Sequence, residues 1–154
     1  MTTTRTAAPF LRTGGLLRPV LRLDALVTGA NAAAYLLAAP LLDGLLGLPA
    51  GLLRGVGAFL AGYAVAVWLV AARRPISAPA AEVVVGANVL WVVGSLAAVL
   101  TGLGSPSAVG SVWLVLQAAV VAGFAGLQVA GLRGARQLGP MGEPQREAAA
   151  AGDA

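Results

Sequence analysis

The sequence predicts an all-α fold: a transmembrane four-helix bundle built from two parallel helical-hairpin repeats. Three observations predict it. No Asp, Glu, Lys or Arg occurs between Val83 and Leu132. That stretch is long enough for two membrane crossings, since a helix needs about 20 apolar residues to span a hydrocarbon core of about 30 Å. Charged residues make up only 10% of the chain and hydrophobic residues 58%, whereas soluble domains carry about 25% charged residues. Finally, arginines and clusters of Gly and Pro divide the chain into four apolar runs.

In chain order, residues 1–21 read as a mobile cytoplasmic tail, with Gly14-Gly15 and Pro19 as breakers. Residues 22–133 form the transmembrane domain. Span one covers about 23–42 and is read as an uncleaved span; a signal peptide would need a small-residue cleavage site before a polar start. Pro40 bends its outer end, because Pro removes a backbone hydrogen bond. Asp43-Gly44 and Gly47-Leu48-Pro49 make the first turn, and Pro49 suits the first position of the next helix. Span two covers about 51–72, with Arg54 near its outer end, free to snorkel or to pair with Asp43. Arg73-Arg74-Pro75 ends it. Span three covers about 80–101. Gly102-Leu103-Gly104-Ser105-Pro106-Ser107 is the only turn cluster in the charge-free stretch. Ser105-Pro106 reads as an N-cap followed by Pro at the first helical position. Span four covers about 106–132. Residues 134–154 read as a disordered cytoplasmic tail, with too little apolar surface to order itself.

Arginine placement gives an orientation. Arg5, Arg12, Arg18 and Arg22 precede span one, Arg73 and Arg74 separate spans two and three, and Arg133, Arg136 and Arg146 follow span four. Only Arg54 falls on the other side. The positive-inside rule therefore places both termini in the cytoplasm of a multi-pass cell-membrane protein. The hairpin repeat is read from Gly29-Ala30-Asn31 recurring as Gly86-Ala87-Asn88. At the same offset Leu46, Gly47 and Pro49 match Leu103, Gly104 and Pro106. The equal spacing points to a parallel repeat, not an inverted one.

The side-chain inventory narrows the chemistry. The chain has no Cys, no His and no Lys. That removes disulfide and thiolate chemistry, the commonest general base and Schiff-base catalysis. No phosphate loop, paired catalytic carboxylates, metal cluster or nucleic-acid surface is found. The expectation is a protein without catalytic activity, cofactor or metal. Its expected partners are the lipid bilayer and other membrane proteins or a second copy of itself, and no nucleic acid.

Two acids, Asp24 and Glu82, each open a span on the arginine-rich side. They read as peripheral acids, favoured by the helix N-terminal dipole and paired with Arg22, Arg73 or Arg74. The sharper reading is a proton relay, but no second acid or His continues a chain across the membrane. The amides lie deeper: Asn31, Asn88 and Gln117 form a candidate intramembrane polar cluster, with Gln128 near the inner interface. Interhelical hydrogen bonding is one reading, at about 0.6–2 kcal/mol per bond; a polar lining for a small ligand is the other. Tyr35 and Trp91 share helix faces with Asn31 and Asn88, and Tyr63 lies near the middle of span two. Trp68 and Trp113 suit an interfacial belt. Small residues run along every span (Ala30 and Ala34, Ala58 and Gly62, Gly94 and Ala98, Ala119 and Gly123) and predict close helix approach.

Leu52-Leu53-Arg54-Gly55-Val56-Gly57-Ala58-Phe59, Ala87-Asn88-Val89-Leu90-Trp91-Val92, Gln117-Ala118 and Leu127-Gln128 resemble a group of small four-span bacterial integral membrane proteins, similar in size and layout to the DoxX-like proteins. The resemblance covers the four spans and neither tail. It implies a fold and a location but no reaction. The cysteine-dependent redox roles of some DoxX-like proteins do not carry over, because this chain has no Cys. Two functions stay open: a structural or accessory membrane protein, and a binder or carrier of a small, weakly polar molecule within the bundle.

Overall fold

The computed structural model describes residues 15–137. Of the expected tails over residues 1–21 and 134–154, residues 1–14 and 138–154 lie outside the described residues, while residues 134–137, expected as disordered tail, continue the last helix. The fold is all-helical, with five helices among the described residues: α1 Leu17–Leu37, α2 Ala39–Leu46, α3 Ala50–Ala72, α4 Ala78–Thr101 and α5 Ala108–Gln137. Four of these, all but α2, are long and apolar enough to cross a membrane.

The first helix differs from the reading above at both ends. It starts at Leu17, inside the segment expected to be tail. Pro19 does not prevent this, because the first four N–H groups of a helix have no intrahelical acceptor and a missing one costs nothing there. At the other end the run expected as one span divides at Ala38, which leaves helical geometry at φ −111° and ψ 17°. Pro40 is the reason: it supplies no N–H for the Leu36 carbonyl and its ring crowds that carbonyl, so α1 cannot run on through it and a new helix starts with Pro in its first turn. The short α2 then ends on Gly47 at φ +69°, a left-handed position that suits glycine.

The other caps also have local causes. Asp43 Oδ2 accepts the Ala50 N–H at 3.0 Å, so Asp43 serves the start of α3 instead of pairing with Arg54. Ser77 caps α4 by accepting from the Ala80 N–H at 3.5 Å. Ser107, not Ser105, caps α5: its Oγ accepts the Gly110 N–H at 3.0 Å and donates to Leu45 O at 2.8 Å. Ser105 instead holds a turn position at φ +53°.

The helices run up and down in sequence. α1 packs most extensively on α3, and α4 on α5; α1 also meets α5, and α3 meets α4 more lightly. Close approaches between the long helices use particular glycines. A Cβ on Gly57 would sit 3.0 Å from Tyr35 and Leu36 side-chain atoms, and one on Gly131 would sit 3.0 Å from Leu17. The small-residue rows expected at these contacts are not the ones used. Ala30, Ala34, Ala58, Gly62, Gly94, Ala119 and Gly123 are exposed, and Gly62, Gly94 and Gly123 have open space where a side chain would be. Helix rotation about its axis, which composition alone leaves undetermined in runs so rich in Ala and Gly, decides this.

One apolar core lies at the arginine-rich end, built on Leu17, Leu21, Val67, Val84 and Leu132. A second lies toward the opposite end, on Ala32, Tyr35, Leu46, Leu53 and Leu60, with Trp91 packed against it. Large apolar side chains such as Leu69, Leu90, Val93 and Leu116 point outward. In water that surface would be a liability; in a bilayer it is the solvated face.

A candidate site of two polar clusters and a lateral groove

The buried polar side chains form two clusters at different depths. The first is centred on Asp24. Its Oδ2 accepts hydrogen bonds from Asn88 Nδ2 at 2.8 Å and from Gln128 Nε2 at 2.7 Å. Its Oδ1 lies 3.3 Å from Thr28 Oγ1, one turn along α1. Asn88 Nδ2 also donates to Gln128 Oε1 at 3.1 Å. Tyr63 of α3 donates its hydroxyl toward Asn88 Oδ1 at 2.9 Å and Val84 O at 3.2 Å. All four long helices thus contribute. Asp24 and Gln128 are 0% exposed and Asn88 3%.

Asp24 is therefore not the peripheral acid expected from the sequence. The misreading follows from the helix start. Because α1 begins at Leu17, Asp24 is about two turns inside the helix, roughly 10 Å along it, and no arginine reaches it. Arg18 instead donates to Ala71 O and Arg73 O at the end of α3, where a cation suits the helix dipole. Arg22 lies over the Trp68 ring, 5.9 Å from its centroid. Glu82 is peripheral as expected, but its partner is Arg136 of α5, not Arg73 or Arg74; both side chains are exposed.

The second cluster lies nearer the opposite end. Asn31 Nδ2 donates to Gln117 Oε1 at 3.0 Å. Gln117 Nε2 donates to the Tyr35 hydroxyl at 2.6 Å, and Trp113 Nε1 donates to the same hydroxyl at 2.8 Å. This links α1 to α5. Asn31 and Asn88, expected in one polar cluster, belong to separate clusters, because each finds its amide partner on α5 about three helical turns apart. Trp91 makes no polar contact in either cluster; it is half-buried against the α1–α3 core. Among the described residues no buried side-chain nitrogen or oxygen lacks a partner.

Sequence reasoning named Asn31, Asn88, Gln117, Tyr35 and Tyr63 but missed Thr28 and the roles of Gln128 and Trp113. One signal was present for Thr28: Asp24 and Thr28 are four residues apart and share a helix face.

A groove of about 310 Å³ runs beside the second cluster, between α1, α2 and α5. Leu42, Leu45, Leu46, Val112 and Leu116 are among its lining residues, with Asn31, Tyr35 and Trp113, and almost all of the lining surface is apolar. The departure of α2 from the α1 axis at Ala38 opens it. A second crevice of about 380 Å³ lies at the arginine-rich end between α4 and α5, lined by Glu82, Arg133 and Arg136 with Val85, Gly86, Val129 and Leu132. Neither reaches Asp24 or Asn88. Among the described residues no group of His, Cys, Asp or Glu is arranged to hold a metal ion.

No family profile matches the sequence, no curated protein is similar to it, and no solved structure matches its fold.

Proposed function

We propose that the chain is a non-catalytic accessory protein of the cell membrane, with both termini in the cytoplasm, acting by association with other membrane proteins or a second copy of itself. One observation carries this reading: the polar side chains of the Asp24 cluster bond to one another across all four helices. Groups so occupied hold the bundle in one arrangement. The outward faces, by contrast, carry an almost unbroken apolar surface. The resemblance to small four-span bacterial proteins fits this reading, as does the division into hairpins α1–α3 and α4–α5, which we read as parallel repeats.

The test is purification from native membrane in mild detergent, with cross-linking before extraction. A defined protein partner or a homo-oligomer at fixed stoichiometry is expected. A chain that emerges only as a monomer, cross-linked to nothing but lipid, would sink the accessory reading. Orientation rests on Arg18, Arg22, Arg73, Arg74, Arg133 and Arg136 at one end against Arg54 at the other. A reporter active only in the cytoplasm should work when fused after Pro75 and fail after Gly47; the opposite pattern would reverse the topology.

The groove between α1, α2 and α5 favours a second reading, a binder of a small, weakly polar molecule. Its size falls at the lower end of small-ligand sites, about 300–1,000 Å³. It touches Asn31 but not Asn88, so it supports lateral binding from the bilayer and not passage through the bundle.

A further inference from the structure

We propose that the crevice between α4 and α5 at the arginine-rich end binds one anionic phospholipid. Its phosphodiester lies at Arg133 and Arg136, and an acyl chain lies along Val85, Gly86 and Val129. The site is independent of the accessory and binder readings and needs only that the bundle lies in lipid.

The crevice has a charged rim and an apolar floor, stacked as a lipid stacks headgroup and chain. Arg133 and Arg136 both line it and are three residues apart, so they share one face of α5. Both lie within four residues of Gln137, the end of that helix. Glu82 faces them from α4, four residues past its start at Ala78. Val129 and Gly86 lie four residues further in on each helix, roughly 6 Å deeper. Beyond them the exposed side chains of Leu90 and Leu127 continue the apolar surface. A headgroup held at the rim therefore leaves its chain on a face that hydrocarbon already solvates. Gly86 keeps the floor open: a side chain begun there would meet nothing within 4 Å.

Charge selects the headgroup. Glu82 pairs with Arg136, while Arg133 has no ion-pair or hydrogen-bond partner among the described residues. The lining thus carries one more positive than negative charge. The Arg136 and Glu82 side chains are 63% and 50% exposed, so the rim is presented outward and not locked inside the bundle. Guanidinium groups bind phosphate oxygens through paired N–H donors. Basic pockets between transmembrane helices suit anionic headgroups for this reason. A choline headgroup matches the walls but brings a second cation to the arginines. A free phosphate matches the arginines but leaves the floor empty. A phosphodiester with one negative charge on acyl chains matches both.

The experiment is native mass spectrometry of the full chain in mild detergent. It is titrated with phosphatidylglycerol, phosphatidylcholine or phosphatidylethanolamine of the same acyl chains. The first phosphatidylglycerol should bind about five-fold more tightly than phosphatidylcholine, the effect of one net positive charge at headgroup level. Arg133→Gln should remove that preference. Arg54→Gln, an exposed arginine at the opposite end, should leave it intact. Gly86→Leu, which fills the floor, should weaken phosphatidylglycerol binding. The comparison of lipids on the unaltered chain stands whether or not each variant folds. Equal binding of phosphatidylglycerol and phosphatidylcholine would overturn the proposal. So would a preference that survives Arg133→Gln, or one lost equally in Arg54→Gln, since either marks diffuse attraction to a basic protein. Tighter binding of phosphatidylethanolamine than of phosphatidylglycerol would mean that Glu82 receives an ammonium, overturning the anionic assignment. Displacement of phosphatidylglycerol by an equal concentration of glycerol phosphate, or unchanged binding in Gly86→Leu, would show that the chain does not lie in the crevice and overturn the lipid as ligand.

Discussion

Replacing Asp24 separates the role of its carboxyl from the role of an acceptor oxygen at that position. Asp24→Asn and Asp24→Ala both remove the carboxyl, so the difference between them reports the acceptor together with the small volume that Asn retains. In Asp24→Asn, the remaining side-chain oxygen can take the place of Oδ2 and keep the bonds from Asn88 and Gln128, at 2.8 and 2.7 Å in the parent. The new amide nitrogen then faces Thr28 Oγ1, where the parent contact is 3.3 Å. The threonine hydroxyl can rotate from donor to acceptor. The network closes again. In Asp24→Ala, Gln128 Nε2 loses its acceptor in a site that is 0% exposed, and Asn88 Nδ2 is left with only its 3.1 Å bond to Gln128 Oε1. An unmet buried donor costs about 1–3 kcal/mol, and interhelical bonds in lipid are worth about 0.6–2 kcal/mol each. Asp24→Ala should therefore be less stable than Asp24→Asn by about 2–4 kcal/mol. The assay is reversible unfolding in mixed micelles with increasing denaturing detergent, followed by circular dichroism. Equal stability of the two variants would show that the acceptor holds nothing together. Failure of Asp24→Asn to insert would show that the carboxyl itself is required.

Three further predictions follow from contacts elsewhere in the fold. Gly110→Ala should destabilise by more than about 2 kcal/mol, since its Cβ would meet Leu46 O at 2.1 Å, a backbone atom that cannot move aside cheaply; Gly62→Ala, with open space around it, should be neutral or stabilising by up to about 1 kcal/mol in the same unfolding assay. Tyr63→Phe should cost about 1 kcal/mol through loss of its hydroxyl contacts with Asn88 and Val84, and an unchanged midpoint would detach α3 from the Asp24 cluster. Glu82→Gln should change stability by less than about 1 kcal/mol, because its pairing with Arg136 is exposed; a loss as large as that of Asp24→Ala would make that contact a structural tie.

The fold was legible because its signals are long. Four apolar runs separated by Arg73-Arg74-Pro75 and by Gly-rich turns leave few alternatives to a helical bundle in lipid. Local decisions were less legible. Pro19 read as a breaker, yet in a first turn it is harmless, and that single misjudgement displaced Asp24 from the interior to the rim. That Asn31, Asn88 and Tyr35 make their polar contacts inside the bundle accords with the cost of exposing polar groups to hydrocarbon. Their pairing did not, because it depends on the relative rotation and stagger of α1, α4 and α5. The same rotation explains why Gly57 and Gly131 make close contacts while Gly62 and Gly123 face outward.

A spin-label scan most directly tests the claim that four helices cross the bilayer with their polar residues turned inward. The chain has no cysteine, so single cysteines can be placed without background. Labels at Val65 and Leu90, exposed on apolar faces, and at Val67, fully buried, would be read in phosphatidylcholine vesicles with oxygen and with a water-soluble nickel chelate. Leu103, in the turn between α4 and α5, serves as the aqueous reference. The expected result is strong oxygen relaxation and weak nickel relaxation at Val65 and Leu90, weak relaxation by both at Val67, and strong nickel relaxation at Leu103. Nickel reaching Val65 or Leu90 as readily as Leu103 would place those faces in water and contradict the transmembrane bundle.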